Sequence, residues 1–167
     1  QGVPNRLPPQ VVTNPTPAAL VATPGTADFG VLPLGQLGTV SVSLRNTGTV
    51  QYVHSSTSSS DPAITVTDDC DLVAPNATCT LTLSAQKTEA GSLTGSVTLV
   101  SSTGENLTIP VTGSVSAPNI NATPSSITFE GIEVGEKSRR TVELENVGQV
   151  SWEIELERLN GVPGVTA

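Results

Sequence analysis

Four groups of residues carry side chains that could do chemistry. Asp28 opens "DFGVLPLG", Asp28 to Gly35, and an Asp-Phe-Gly run in a protein kinase holds a catalytic magnesium ion. Cys70 and Cys79 are the only cysteines, separated by "DLVAPNAT". Asp68, Asp69 and Asp71 surround Cys70, with Asp61 upstream, and clustered carboxylates attract Ca²⁺. His54 is the sole histidine in a chain rich in serine, the raw material of a nucleophile and its base.

Each group has a plainer reading. A kinase site needs a glycine-rich phosphate loop, a strand lysine and a catalytic loop, and the sequence contains none of them. Two thiols alone do not complete a tetrahedral zinc site, and the spacing is not that of a Cys-x-x-Cys redox pair. A disulfide between Cys70 and Cys79 is expected, with free buried thiols as the alternative; it implies an oxidising compartment. The aspartate run lacks the glycine and terminal glutamate of a calcium loop and reads as solvated. A nucleophile needs a positioned base and an orienting acid, so His54 reads as a packed or surface residue. The sequons at Asn76, Asn106 and Asn121 matter only where the source glycosylates. No catalytic, cofactor-binding or metal residue is assigned, and no cofactor is expected.

The elements that must position these residues are strands. Aromatic residues make up 2% of the 167 residues and charged residues 13%, while glycine and proline number 15 and 13. A core must then come from Val, Leu and Ile supported by Thr and Ser, a strand vocabulary, and the runs that sustain helices are missing. "TVSVSLRN" alternates Val40, Val42 and Leu44 with polar residues; "CTLTLSA", "GSVTLVS" and "NLTIPVTG" do the same, and turn signals separate them. Pro110 suggests an edge strand, and a parallel sheet is not expected without helical crossovers. A net charge of −8 argues against a nucleic-acid partner, and no apolar run is long enough to insert in a membrane as a helix. The absence of Met indicates a processed form or a fragment.

Aligning Ala22 with Ala122 without a gap makes about ten of thirty-three positions identical. Phe29 meets Phe129, Gly35 meets Gly135, Asn46-Thr47-Gly48 meets Asn146-Val147-Gly148, and Tyr52 meets Trp152. Asp28 meets Thr128, so the aspartate is the residue the repeat discards. A period near one hundred residues suits a tandem β-sandwich. The reading is all-β, tandem immunoglobulin-like β-sandwiches: residues 1–21 a Pro-rich extended segment or linker, 22–117 a complete sandwich, and 118–167 the N-terminal half of a second. Phe29, Tyr52, Phe129 and Trp152 are expected as core anchors, and Glu153, Glu155 and Glu157 as the wet face of their strand.

"TADFGVLPLGQLGTVSVSLRNTGT", "CDLVAPNATCTLTL", "EAGSLTGSVTLVS" and "IPVTGSV" together resemble bacterial and phage immunoglobulin-like repeats of the choice-of-anchor type. These are similar to the hydin-like ciliary and centrosomal domains and, more distantly, to major sperm protein. The resemblance covers Thr23 to Gly113 well and Thr123 to Ala167 in part, and it carries no shared active site. It implies a non-enzymatic spacer, adhesive or structural unit of an extracellular, cell-surface or virion assembly. Partners would be other protein subunits, copies of the chain or adjacent immunoglobulin-like domains. "PQVVTNPTPAALVA" is a candidate strand to complete the second unit by β-augmentation. An adhesin or carbohydrate-binding module is the alternative, an enzyme ranks last, and an intracellular ciliary scaffold sits poorly with a disulfide.

Overall fold

The computed structural model describes residues 14–154. Twelve strands occur among them: β1 Leu20–Thr23, β2 Ala27–Pro33, β3 Gly38–Asn46, β4 Tyr52–Ser59, β5 Ile64–Asp68, β6 Leu72–Val73, β7 Thr78–Ala85, β8 Gly91–Ser92, β9 Gly95–Ser101, β10 Asn106–Ser116, β11 Ile120–Thr123 and β12 Glu143–Asn146. One sheet runs β1-β3-β7-β5; the facing sheet runs β2-β10-β9-β4-β6, with β8 also on β10. No helix among the described residues is long and apolar enough to cross a membrane.

The period-two pattern decides which face meets the core. Val42 and Leu44 of β3, Leu81 and Leu83 of β7, Val97 and Leu99 of β9, and Ile109 and Val111 of β10 are all buried, and the residues between them face outward or sit half-buried. Full burial of one such side chain contributes about 1.5 to 3 kcal/mol. Phe29, Tyr52 and the cysteines Cys70 and Cys79 complete this core, which is otherwise aliphatic. The hydroxyl-rich outer faces bond across strands, as in the pair Thr98 Oγ1 and Thr108 Oγ1 at 3.1 Å.

Three features depart from the sequence reading. First, β2 and β10 pair in parallel, Val111 opposite Ala27. No crossover helix is needed, because almost the whole sandwich lies between the two strands in sequence. Second, β10 is not an edge strand. Ser96, opposite Pro110, directs its own N–H and C=O to Ser60 on the other side, so Pro110 needs no N–H toward β9. Its nitrogen faces the β2 side, where pairing starts only one residue later. Third, the boundary expected at Ala22 falls inside β1. Ala18 is already in the core, and Leu20 to Thr23 pair with Asn46 to Ser43.

Beyond β10, β11 and β12 form a two-stranded sheet. Its register repeats that of β1 and β3 one hundred residues on: Leu20 faces Asn46, and Ile120 faces Asn146. The turn after β2 recurs too, with Gln36 N bonded to Pro33 O at 3.1 Å and Glu136 N to Glu133 O at 3.0 Å.

Asn46 is the largest polar side chain buried in the described residues, fully enclosed. Its Oδ1 accepts from Gly48 N at 3.0 Å and Ala19 N at 3.2 Å; its Nδ2 donates to Val50 O at 2.8 Å and Val73 O at 2.9 Å. Asn46→Ala leaves these backbone groups without their partner in a dry site, where each unsatisfied group costs about 1 to 3 kcal/mol. The expected loss is about 3 to 4 kcal/mol of unfolding free energy, read from the midpoint shift in urea titrations at unchanged slope.

Candidate functional site

Most of the residues singled out for their chemistry gather at two places along the strands, and in both their polar atoms hold backbone. At β2, Asp28 Oδ1 accepts from Gly30 N at 2.9 Å and from Thr112 Oγ1 at 3.2 Å. The register with β10 slips here, Thr112 opposite Asp28 but Ser114 opposite Val31, so β2 carries one extra residue. Gly30 takes the left-handed conformation of that bulge, φ 61°, which a side chain would strain. The bulge resets the alternation: Phe29 points inward, Gly30 and Val31 outward, and Leu32 turns back toward the core. "DFG" therefore spells a clipped β-bulge. Around residue 130 the left-handed position moves to Gly131, φ 64°, one place later in the repeat.

The second place surrounds the cysteines. Cys70 and Cys79 are joined by a disulfide with S–S 2.07 Å, and both are buried. Asp69 lies against them with a carboxylate oxygen within 4.8 Å of both sulfurs, yet both thiolates a metal would require are consumed in the S–S bond. The carboxylates act locally. Asp68 Oδ1 accepts from Cys70 N at 3.0 Å and Asp69 Oδ1 from Thr80 N at 2.5 Å. Asp71 contributes its backbone carbonyl to His54 N, at 2.9 Å. Asp61 sits elsewhere, accepting from Ala63 N and pairing with Lys87 Nζ at 3.2 Å.

His54 is half-buried on β4. Its Nδ1 lies 3.4 Å from Tyr52 Oη and its Nε2 3.2 Å from Thr57 Oγ1, while Thr57 Oγ1 donates to Asp68 Oδ2 at 3.5 Å. This row of polar groups runs along β4 and reaches across to the end of β5, the edge strand of the facing sheet. Tyr52 itself is buried; burial first, then the negative Asp68 and Glu105, push its phenol above the usual range. Beside it a shallow cleft of about 330 Å³ is lined by Ala18, Leu20, Tyr52, Glu105 and Leu107. Glu105 does not reach into that cleft as a free acid: bonds from Ser101 Oγ, then Thr103 Oγ1, hold its carboxyl below the ordinary range.

Phe129 and Trp152, expected as anchors, are 51% and 42% exposed. Among the described residues no second sheet faces β11 and β12. Arg140 covers one side of Phe129 instead, its guanidinium 5.8 Å from the ring centre. Glu155 and Glu157 lie outside the described residues, and Glu153 is exposed. Asn76, Asn106 and Asn121 are all exposed; Asn76 adopts φ 65° and accepts from Arg45 Nη2. The clip at Asp28 and the hub at Asn46 were missed by sequence reasoning. An Asx residue two places before a glycine, in "DFG" and again in "NTG", is the signal that could have found both.

Strands, register and disulfide together describe one immunoglobulin-like sandwich, and a family model for the "HYDIN/CFA65/VesB-like, Ig-like domain" matches residues 18–114. The chain belongs to this family. The match begins at Ala18, the first residue of the Ig-like core. No curated protein sequence matches the chain. Among solved structures, a Porphyromonas gingivalis W83 protein of unknown function is similar in fold, with TM-score 0.52 and 16% identity over 62% of this chain. The match spans half of that protein. The Vibrio cholerae VesB protease matches at TM-score 0.45 and 15% identity, over 57% of this chain and 31% of its own. The S-layer protein rSbsC matches at TM-score 0.39 and 19% identity, over 65% of this chain and 15% of its own.

Two outcomes test this account of the site. Cys70→Ser with Cys79→Ser opens a loop of sequence separation nine, and the chain-entropy relation gives a loss of about 2.6 kcal/mol. Denaturant titration of the variant, and of the wild type with and without reductant, measures it. Asp61 is held below its usual value, first by the Ala63 N–H and further by Lys87. A depressed carboxyl stabilises the fold above its unfolded value of about 3.9 and loses that contribution as pH falls through the lower folded value. Asp61→Asn should therefore melt below the wild type at neutral pH, and the two melting temperatures should converge as pH drops below about 4.

Proposed function

We propose that the chain is a non-enzymatic structural and interaction module of an extracellular or virion assembly, such as a surface filament, an appendage or a phage structural protein. The supporting observation is the commitment of Asp28, Asp68, Asp69 and Glu105 to internal hydrogen bonds around a core sealed by a disulfide. A disulfide of this kind persists in oxidising surroundings, which supports the cell exterior or a virion as its place. The proposal includes no enzymatic role, cofactor or metal.

In this reading residues 118–167 begin a second Ig-like unit of choice-of-anchor type. The repeated register of β11 with β12, the repeated turn at Gly135 and the repeated Asn146-Val147-Gly148 support it. Phe129 and Trp152, exposed among the described residues, are then core positions of that second unit. Partners are other protein subunits, copies of this chain or adjacent Ig-like domains; net charge −8 speaks against nucleic acid, and membrane insertion is not proposed. Strand addition is one way to join them, because among the described residues β5 is an edge strand paired on one side only. "PQVVTNPTPAALVA" is a poor donor, since Leu20 to Thr23 already form β1 and Ala18 is in the core; its first residues lie outside the described residues.

Immunogold electron microscopy of native source material tests the proposal. Label at regular intervals along a filament, appendage or particle is the expected result. Label confined to freely diffusing secreted monomer would overturn it. The second reading, a carbohydrate-binding module, draws on the exposed rings of Phe129 and Trp152. It requires glycan-array binding that disappears in Trp152→Ala.

A further inference from the structure

The two Asn-x-Gly turns hold more than their own corners. In the first unit, the segment ahead of β1 lies along the turn. Thr16 N donates to Thr49 Oγ1 at 2.7 Å, and Thr49 N donates back to Thr16 O at 3.1 Å. Thr47 N and Oγ1 both donate to Ala19 O, at 2.8 and 3.1 Å, and Ala19 N donates to Asn46 Oδ1. The segment presses so closely that a Cβ on Gly48 would stand 2.1 Å from Pro17 O. No larger residue fits there without displacing the segment.

The central contacts of this arrangement recur one hundred residues on, where the segment is the connection between units, without counterparts among the described residues of the Ala19–Asn46 and Thr16–Thr49 bonds. Val147 N donates to Asn119 O at 2.9 Å, and a Cβ on Gly148 would stand 2.7 Å from Asn119 N. Asn146 repeats the internal bonds of Asn46, Oδ1 to Gly148 N at 2.9 Å and Nδ2 to Val150 O at 2.8 Å. The upstream end is also secured: Ser116 pairs with Pro33 on β2, and Leu34 N donates to Ser116 O at 2.9 Å. Only Ala117 and Pro118 lie between these two attachments, and the proline ring fixes one of their torsions.

We infer that the Asn-x-Gly turn is a docking site for the backbone of the preceding inter-unit segment, so that the joint between units is fastened rather than hinged. This rests on the reading that residue 118 opens a second unit. Recognition runs through backbone N–H and C=O groups and through a missing Cβ. That is why the segment is free to read Pro17-Ala18-Ala19 in one place and Ala117-Pro118-Asn119 in the other, while asparagine and glycine stand in both turns.

Hydrogen exchange on the full chain tests this. Amides of residues 119–123 and 143–148 should exchange at least about tenfold more slowly than in an unstructured peptide. Gly148→Val should release both segments together while residues 20–115 keep wild-type protection. Wild-type residues 119–123 exchanging at unstructured rates, or Gly148→Val leaving them protected, would overturn the inference. Because Gly148→Val could unfold the whole second unit, a second measurement leaves both turns intact. Spin labels at Thr39→Cys and Ser126→Cys should give a narrow distance distribution that broadens when Gly-Gly-Ser is inserted between Ala117 and Pro118. An equally broad distribution with and without the insertion would overturn it. Both measurements use the isolated chain, so their outcome is separate from whether microscopy places the protein in an assembly.

Discussion

A single carboxamide, removed entirely from solvent, connects more of this sandwich than any other polar group described. Asn46 ends β3 in one sheet, yet its Nδ2 reaches Val73 O on β6 in the other, and its Oδ1 holds both the following glycine and the chain approaching β1. Burying an amide is unfavourable unless all its donors and acceptors are matched, and low local polarity then strengthens each match. The requirement is therefore all or none: the corner, the entering segment and the end of β6 must be placed together. Every buried side-chain nitrogen or oxygen among the described residues has a hydrogen-bond partner, so the same rule is met throughout.

The core itself asks for much less specificity. With two phenylalanines, one tyrosine and one tryptophan in 167 residues, it is filled by Val, Leu and Ile of similar size. Such side chains are driven inward by area rather than by direction. Register must come from elsewhere, and polar clips supply it: Asp28 at the bulge, Asn46 at the corner, Asp68 and Asp69 beside the disulfide. The three aspartates look like candidates for chemistry in the sequence because they are short acids near a glycine and the cysteines. The same chemistry, hydrogen bonding at fixed geometry, is turned inward to the backbone.

This explains what was legible beforehand. Alternation in β3, β7, β9 and β10 depends only on period two, and it read correctly from Val42, Leu81, Leu99 and Ile109. The Cys70 to Cys79 bridge was accessible because few other fates suit two cysteines at that spacing. The parallel pairing of β2 with β10 was not accessible, since it joins residues more than eighty apart and leaves no local periodic mark. Pro110 misled for a related reason: which side its missing N–H faces depends on where β2 happens to begin. Ala18 carries no hydrophobic signal among its prolines and alanines, and only the turn lying over it reveals that it is core.

The parallel pair has a mechanical meaning. The chain enters β2 at Ala27 and leaves β10 at Ser116, and these two points lie at opposite ends of the same ladder. A pull applied at Ala27 and Ser116 draws β2 and β10 lengthwise past each other, whereas tension arriving from further upstream first meets the β1–β3 pairing and the Asn46 turn. All the rungs from Ala27–Val111 to Pro33–Ser116 are then loaded at once, whereas an antiparallel hairpin pulled from its open end would unzip rung by rung. Along the line from Ala27 to Ser116 the sandwich resists by shear rather than by peeling.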